Sequence, residues 1–317
     1  MTGLKLFLPR RKISQWLSYL ALCLCMVAPL QAATYAALVM DAQTGRVIHG
    51  IRPDTLVYPA SLTKMMTLYL VFQALAKGKL KLSDKIHVTS HAARQPPCKL
   101  GLRPGDSLTV QQAILGLVTK SANDASEAIA VKLGGTPARF AQMMSQKARE
   151  LGLHHTTFRN ASGLFHREQQ TTARDMARLG LVLMRHFPRE YKYFKTRHFV
   201  FRGQSHKNHN QLLGQFGCDG LKTGYLCASG WNQVASAQMG SRRYIVCVIG
   251  GQTRIGRDRK IQALLKAAFH APKTLPQVLG CPTPKVSKKA PRPVVQKAQS
   301  SIDQLLAQVD RTSAENI

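Results

Sequence analysis

Between Thr34 and Met40 the chain reads as a strand, Asp41-Ala-Gln-Thr-Gly45 follows as a turn, and Arg46 to His49 returns, so the pattern opens on a β-hairpin. From Leu62 the period changes. Met65, Leu68, Tyr69, Phe72 and Leu75 recur at helical spacing as far as Ala76 and Gly78 stops the run, which puts Ser61 at a helix N-terminus. Pro96-Pro97 and Arg103-Pro104-Gly105-Asp106 mark residues 95–106 as loop. Val110 to Val118 reads as a helix, the polar turn Ser121-Ala-Asn-Asp124 interrupts, and Ala125 to Leu133 is helical again. Thr136-Pro137 caps a helix reaching about Leu151, and Thr172 to His186 is a further amphipathic segment. The spacing then falls to strand alternation over His198–Phe201, Gly220–Tyr225, Trp231–Gln238 and Tyr244–Ile249, with Met239-Gly-Ser-Arg242 as a hairpin turn and a last helix from about Arg257 to Phe269. One β-unit near each end with helices between predicts a single α+β domain whose sheet draws on both termini.

The two ends break this pattern. Lys5, Arg10, Arg11 and Lys12 precede an uncharged apolar run, Trp16 to Leu30, that closes on the small residues of Gln31-Ala32-Ala33. That is the layout of a secretory signal peptide cleaved near Ala32; an uncleaved membrane anchor is the alternative. From Pro272 to Ser300 the composition turns to Pro, Lys, Val and Gln without an acid, as in a flexible basic tail, and Ser301 to Val309 fits a short helix. The expected organisation is thus a signal peptide over 1–32, one catalytic domain over 33–271, and a basic tail over 272–317.

Charge sharpens the picture. The sequence carries a formal net charge of +30, and removing residues 1–32 takes away four basic groups and no acid, leaving +26. A small soluble domain usually carries about 2 to 8 in magnitude. For an exported protein, destined for the periplasm or cell envelope, the polyanions within reach are anionic membrane and the carboxylates of the cell wall, rather than nucleic acid. Five cysteines remain after export: Cys98, Cys218, Cys227, Cys247 and Cys281. Cys218 and Cys227 are separated by roughly 30 Å of extended strand, too far for a disulfide; a Cys98–Cys227 bridge is the expected pairing if one forms, since both segments should border the cleft.

Three short motifs stand in order: Ser61-Leu-Thr-Lys64, Ser121-Ala-Asn123 and Lys222-Thr-Gly224. Together they match the S-x-x-K, S-x-N and K-T-G set of penicillin-binding proteins and serine β-lactamases. On a helix Lys64 can reach the Ser61 hydroxyl and take its proton, provided its amine is neutral. A second ammonium, Lys222, in a partly desolvated cleft lowers the pKa of Lys64. Ser121 can relay a proton to the leaving amine while Asn123 orients Lys64 and the substrate. The strand bearing Lys222, Thr223 and Gly224 can hold an extended peptide, and the Ser61 and Tyr225 N–H groups would form an oxyanion hole. His206 and His209, with no carboxylate or thiol beside them, make a poor zinc site, so neither metal nor cofactor is expected.

Tyr58-Pro-Ala-Ser-Leu-Thr-Lys-Met65, Ser121-Ala-Asn-Asp-Ala-Ser126 and Asp219-Gly-Leu-Lys-Thr-Gly-Tyr225 resemble the low-molecular-mass D-alanyl-D-alanine carboxypeptidases, as do Pro96-Pro-Cys-Lys-Leu-Gly101 and Thr172-Ala-Arg-Asp-Met176. The resemblance spans roughly residues 34–271. It implies the penicillin-binding protein fold, an antiparallel sheet flanked by helices plus an all-helical subdomain. It also implies removal of terminal D-Ala from peptidoglycan stem pentapeptides through an acyl-enzyme on Ser61, β-lactams as covalent inhibitors, and Arg257 as the basic residue at the substrate's terminal carboxylate. Members with a further β-rich domain and a C-terminal amphipathic helix are well known, whereas residues 272–317 read here as a basic tail, which leaves membrane attachment open. Three other readings stay in view: a D,D-endopeptidase of the same family, a serine β-lactamase, and a non-enzymatic basic cell-wall-binding protein on this fold. Against the lactamase, the nearest match to a water-activating E-x-x-L-N loop is Glu150-Leu-Gly-Leu-His154, which ends in His and begins inside a predicted helix.

Overall fold

The computed structural model of the protein describes residues 34–279; the expected signal peptide and nearly all of the expected tail, with its short helix, lie outside them. A five-stranded antiparallel sheet runs in the order β2-β1-β9-β8-β7, built from β1 (Ala36–Asp41), β2 (Val47–Ile51), β7 (Cys218–Leu226), β8 (Gly230–Met239) and β9 (Arg242–Gly251). The chain's first strand thus lies against its last, as the two-ended pattern predicts. β1 and β9 are apolar on both faces because both are covered. Leu38, Met40, Cys247 and Ile249 point into a large core shared with helices α1 (Lys64–Ala76) and α6 (Ala173–His186). Their strand neighbours Val39, Val246 and Val248 face a smaller core under α7 (Arg254–His270). β7 pairs only with β8, so it is an edge strand.

The second layer is helical: α2 (Ser90–Ala93), α3 (Val110–Thr119), α4 (Asn123–Gly134) and α5 (Pro137–Glu150) join α1. Asn123 to Ala130 of α4 are buried without interruption, because Ala125, Ser126, Ala128 and Ala130 are small enough for neighbours to close in from every side. Thr109, Thr136 and Thr172 cap their helices through side-chain oxygens, Thr109 in a reciprocal capping box with Gln112. Two short antiparallel pairs complete this layer, β3 (Lys85–His87) with β4 (Ser107–Thr109), joined through α2, and the hairpin of β5 (His198–Phe201) with β6 (Gln204–Lys207). Among the described residues no helix is long and apolar enough to cross a membrane.

Two expectations change. The folded chain does not stop at 271, because α8 (Leu275–Leu279) follows and Leu275 is buried in the core under α7. Val278 packs against the same core, and the Pro-rich composition hid both apolar anchors. Cys98, Cys218, Cys227 and Cys247 are all free thiols, so the expected Cys98–Cys227 bridge is not formed. Cys98 lines the cavity described next, while the exposed Cys227 lies beyond the end of β7 and is not part of its wall.

Candidate active site

Ser61 stands in a 3₁₀ helix, Ala60–Thr63, that runs straight into α1. Two residues without side chains grip its backbone. A β-carbon on Gly163, whose φ is +86°, would strike the Ala60 carbonyl, and one on Gly224 of β7 would come within 3.1 Å of the Ser61 nitrogen. Gly224 was expected to admit a peptide; it also lets the β7 backbone close on the nucleophile. Ala60 and Ser121, next to or within the motifs, both hold left-handed φ values, 51° and 59°. Such conformations in non-glycine residues persist only where the surroundings enforce them.

Lys64 Nζ is fully buried and lies 3.1 Å from Ser61 Oγ, 2.8 Å from Asn123 Oδ1 and 2.5 Å from the Ser162 carbonyl oxygen. Two of these three partners can only accept. A neutral amine donates its two protons to them and turns its lone pair to the Ser61 hydroxyl, the arrangement a general base needs. Burial, then the charge of Lys222, holds the Lys64 pKa well below the usual lysine range. The expected repulsion from Lys222 is therefore present, but desolvation is the larger cause. Asn123 is itself fixed, its Nδ2 donating to the Pro96 carbonyl at 2.9 Å.

The loop carrying Pro96 is tied down by Asp124. This fully buried carboxylate accepts the N–H groups of Leu100, Gly101 and Leu102 at 3.0, 3.0 and 3.1 Å. Each charge-assisted bond of this kind is worth about 1.5–3 kcal/mol.

These groups border a cavity of about 450 Å³ lined by Ser61, Ser121, Asn123, Thr223, Gly224 and Tyr225 among others. The Ser121 hydroxyl is buried and finds no partner among the described residues. Such an orphan group is free to handle a proton delivered by substrate. Tyr225 is exposed at the mouth, its ring 4.4 Å from that of Trp231. Lys222, by contrast, is not part of the cavity wall. Its buried Nζ donates to the Thr223 carbonyl at 2.9 Å, and burial brings its pKa down to about 7, with Cys98 opposing the shift and Arg257 adding to it. From behind the wall its charge still reaches Lys64, as the sequence reading expected.

The cavity's cationic wall is Arg257 and Arg254. Arg257 is buried, with Nε and Nη2 donating to Asp258 at 3.0 and 2.6 Å and Nη1 to the Asn232 carbonyl at 3.2 Å. A guanidinium has five N–H donors, so one on each terminal nitrogen stays available for a carboxylate. Arg254 was missed. Thr253 caps α7 by accepting the Gly256 N–H at 2.9 Å, so the helix begins three residues before the expected start and carries both arginines on its first turn. The Thr253 hydroxyl was the available signal. His209 also lines the cavity; burial and then the charge of Lys222 push its pKa down to about 4, so it is a neutral imidazole at neutral pH. His206, paired with it as a poor zinc site in the sequence, is buried against Phe199. None of the described residues lining the cavity is acidic, and Glu150 is exposed at the far end of α5.

Residues 25–253 match the model of a family described as D-alanyl-D-alanine carboxypeptidase. The chain is 38% identical over 242 residues to the D-alanyl-D-alanine carboxypeptidase DacC of Escherichia coli, covering 74% of this chain and 60% of the relative. It is 34% identical over 247 residues to DacF of Bacillus subtilis, covering 76% and 63%. The chain thus spans only about three-fifths of the length of these curated relatives. Among solved structures it is similar to penicillin binding protein 5 from Haemophilus influenzae, with a TM-score of 0.72, 34% identity and coverage of 77% of this chain and 72% of that one. It is also similar to penicillin-binding protein D2 from Listeria monocytogenes in its ampicillin-bound form, with a TM-score of 0.68, 28% identity and coverage of 76% and 99%.

Proposed function

The chain belongs to the D-alanyl-D-alanine carboxypeptidase family, and from that premise we propose that it removes the terminal D-Ala of peptidoglycan stem pentapeptides through an ester on Ser61. The observation that carries this reading is the Lys64 amine, desolvated and held between two acceptors with Ser61 as its third neighbour. The peptide lies extended along the free edge of β7, and its terminal carboxylate meets Arg257 and Arg254. Lys64 takes the Ser61 proton as Oγ attacks the penultimate carbonyl. The resulting oxyanion is assigned to the N–H groups of Ser61 and Tyr225, a reading supported by the close packing of Gly224, the residue before Tyr225, on Ser61. The C–N bond breaks as Ser121 passes a proton to the departing amine of D-Ala. Ser121 recovers that proton from Lys64, which is left neutral; water then attacks the ester as Lys64 takes one of its protons and passes it to the departing Ser61 Oγ, restoring the hydroxyl.

A β-lactam presents a similar amide and carboxylate and acylates the same serine. Because no acidic group lines the described cavity wall, nothing is placed to activate water with the force a β-lactamase needs, which favours the peptidase. The intact Ser61–Lys64 pair favours it over a silent cell-wall-binding role.

The purified protein, with no added metal or cofactor, is expected to convert a pentapeptide ending in D-Ala-D-Ala to the tetrapeptide plus free D-Ala, followed by chromatography. Absence of D-Ala release alongside rapid turnover of penicillin would replace this reading by a β-lactamase. Export belongs to the same proposal, since cell-wall peptides lie outside the cytoplasmic membrane. The charged, apolar and small-residue order of Lys5 to Ala33 supports it. N-terminal sequencing of protein from the cell envelope should begin near Ala33, and an intact Met1 there would contradict cleavage.

A further inference from the structure

An aromatic ring that the mechanism does not use stands beside the catalytic cavity. Leu164 lines the cavity, and Phe165, the next residue, is 58% exposed. Its ring lies 5.0 Å from that of Tyr58, inclined at 60°, and the half-buried Tyr58 comes three residues before Ser61. One face of this aromatic pair is therefore braced from within while the other is open to solvent.

A single exposed apolar side chain is ordinary on a protein surface, but this one is held. The Leu164 carbonyl, in the peptide group that precedes Phe165, accepts from Asn160 Nδ2 at 2.9 Å and from Gln169 Nε2 at 3.0 Å. The buried Gln169 returns its Oε1 to the N–H groups of Arg159 and Asn160 at 2.9 and 3.2 Å, and Asn160 Oδ1 accepts the Gly163 N–H at 2.7 Å. Both ends of the loop are thus clamped to the backbone that carries the ring. A ring already ordered gives up little entropy on binding. The negative face of its π-system suits C–H groups that carry slight positive charge, which is what the flat face of a pyranose presents.

Distance says which part of a substrate reaches the ring. A stem peptide hangs from a glycan strand, and four residues run from its sugar to the carbonyl that Ser61 attacks, about 14 Å when extended. On the protein, Gly163 packs against the backbone of Ala60 and Ser61, and Phe165 follows two residues later. Chain geometry then keeps its ring within roughly 15 Å of Ser61. The sugar of a stem anchored at Ser61 falls in the range of this ring. Two other exposed apolar side chains belong to the cavity lining or adjoin it in sequence, Tyr225 and Ile255. Tyr225 is itself wall, packed on Trp231, with its N–H assigned to the reacting carbonyl, so it meets peptide. Ile255 follows Arg254, at the terminal-carboxylate end. Phe165 is the exposed ring that belongs to neither.

We propose that Phe165, set against Tyr58 at the rim of the catalytic cavity, is a stacking platform for a sugar ring of the glycan that bears the stem peptide, so that the enzyme prefers glycan-linked stems to free peptides. This rests on the peptidase reading above. The sugar lies several residues from the bond that breaks, so its contact with Phe165 is the same before and during reaction. Such uniform binding lowers KM and leaves kcat unchanged.

The test uses the full chain and two substrates, an N-acetylated free pentapeptide and the same pentapeptide on its amino-sugar disaccharide, with D-Ala release followed for each. Wild type is expected to show a KM about three- to tenfold lower for the glycan-linked substrate, the range of one aromatic stacking contact, with equal kcat. Phe165→Ala should raise that KM to the value for the free pentapeptide, while both constants for the free pentapeptide stay within about twofold of wild type. Phe165→Trp should keep the preference. Phe165→Leu, which retains an apolar side chain without a ring, should lose it, and this variant keeps the test open if the alanine one folds poorly. A wild type that releases D-Ala from both substrates with the same KM, or a preference that survives loss of the ring, would overturn the platform alone. So would Phe165→Ala losing attachment to anionic phospholipid vesicles with its sugar preference intact, which would give the ring to a membrane surface. Failure to release D-Ala from either substrate would overturn the peptidase reading, and the platform with it.

Discussion

Ser61→Ala is expected to end covalent capture of penicillin and to lower D-Ala release by roughly 10⁴- to 10⁶-fold, the scale seen when a nucleophile is removed from a unit that acts together. The fold should survive. Removing the hydroxyl takes one of three partners from Lys64 and leaves the two acceptors, Asn123 Oδ1 and the Ser162 carbonyl, to which a neutral amine donates both protons. Residual turnover would come from binding and from backbone N–H groups that the substitution does not touch. In the unaltered protein, mass spectrometry after mixing with penicillin should find an adduct on the peptide containing Ser61, and that adduct should outlive the peptide-derived ester. The reason is geometric: the β-lactam's leaving group stays tethered to the acyl chain, and no carboxylate lines the described cavity to drive water in. A thermal melt of the variant near the wild-type midpoint, together with loss of the adduct, supports the assignment. An adduct that persists in a folded Ser61→Ala protein would move the nucleophile elsewhere.

How much of this site was legible beforehand depended on whether each group belonged to a repeating local geometry. Ser61 and Lys64 were readable because three residues on a helical turn face one way, and Ser121 with Asn123 because a turn into a helix presents both. Lys222-Thr-Gly224 stood out as small and charged residues within strand alternation. The two-ended sheet was likewise visible as β-patterning at both ends of the chain. What stayed hidden was non-local or carried by backbone. The Ser162 carbonyl contacts Lys64 from 98 residues away and no side chain announces it. Gly163 matters for a β-carbon it lacks. His209 enters from a loop whose approach to the cavity no periodicity encodes. β3 and β4 are three residues each, and Gln204–Lys207 is polar in sequence, so these strands lacked the apolar alternation by which His198–Phe201 was recognised. Lys222 was found but its full burial was not, because sequence gives a residue's chemistry before its depth.

That depth sets the second large effect. Lys64→Gln should cost D-Ala release about 10²- to 10⁴-fold by removing the base. More telling is the pH profile of kcat/KM, which reports the free enzyme. Lys64 works only when neutral, so in wild type activity rises as pH climbs through its depressed pKa. Lys222 supports the anionic substrate only when charged, so activity falls again as pH climbs past about 7. In kcat, measured on the complex, the substrate carboxylate favours the Lys222 cation and should move this falling limb to higher pH. Lys222→Gln removes a like charge from beside Lys64, which lets Lys64 hold its proton more strongly. The rising limb should therefore shift to higher pH and the falling limb assigned to Lys222 should vanish, with activity at neutral pH down on the order of 10²- to 10³-fold, as for loss of a buried charge partner. Had Lys222 acted by touching the substrate, KM would rise while the rising limb stayed where it was. Its position behind the cavity wall, donating to the Thr223 carbonyl, predicts the opposite division. A rising limb unmoved in a folded Lys222→Gln protein would show that Lys64 owes its neutrality to burial alone.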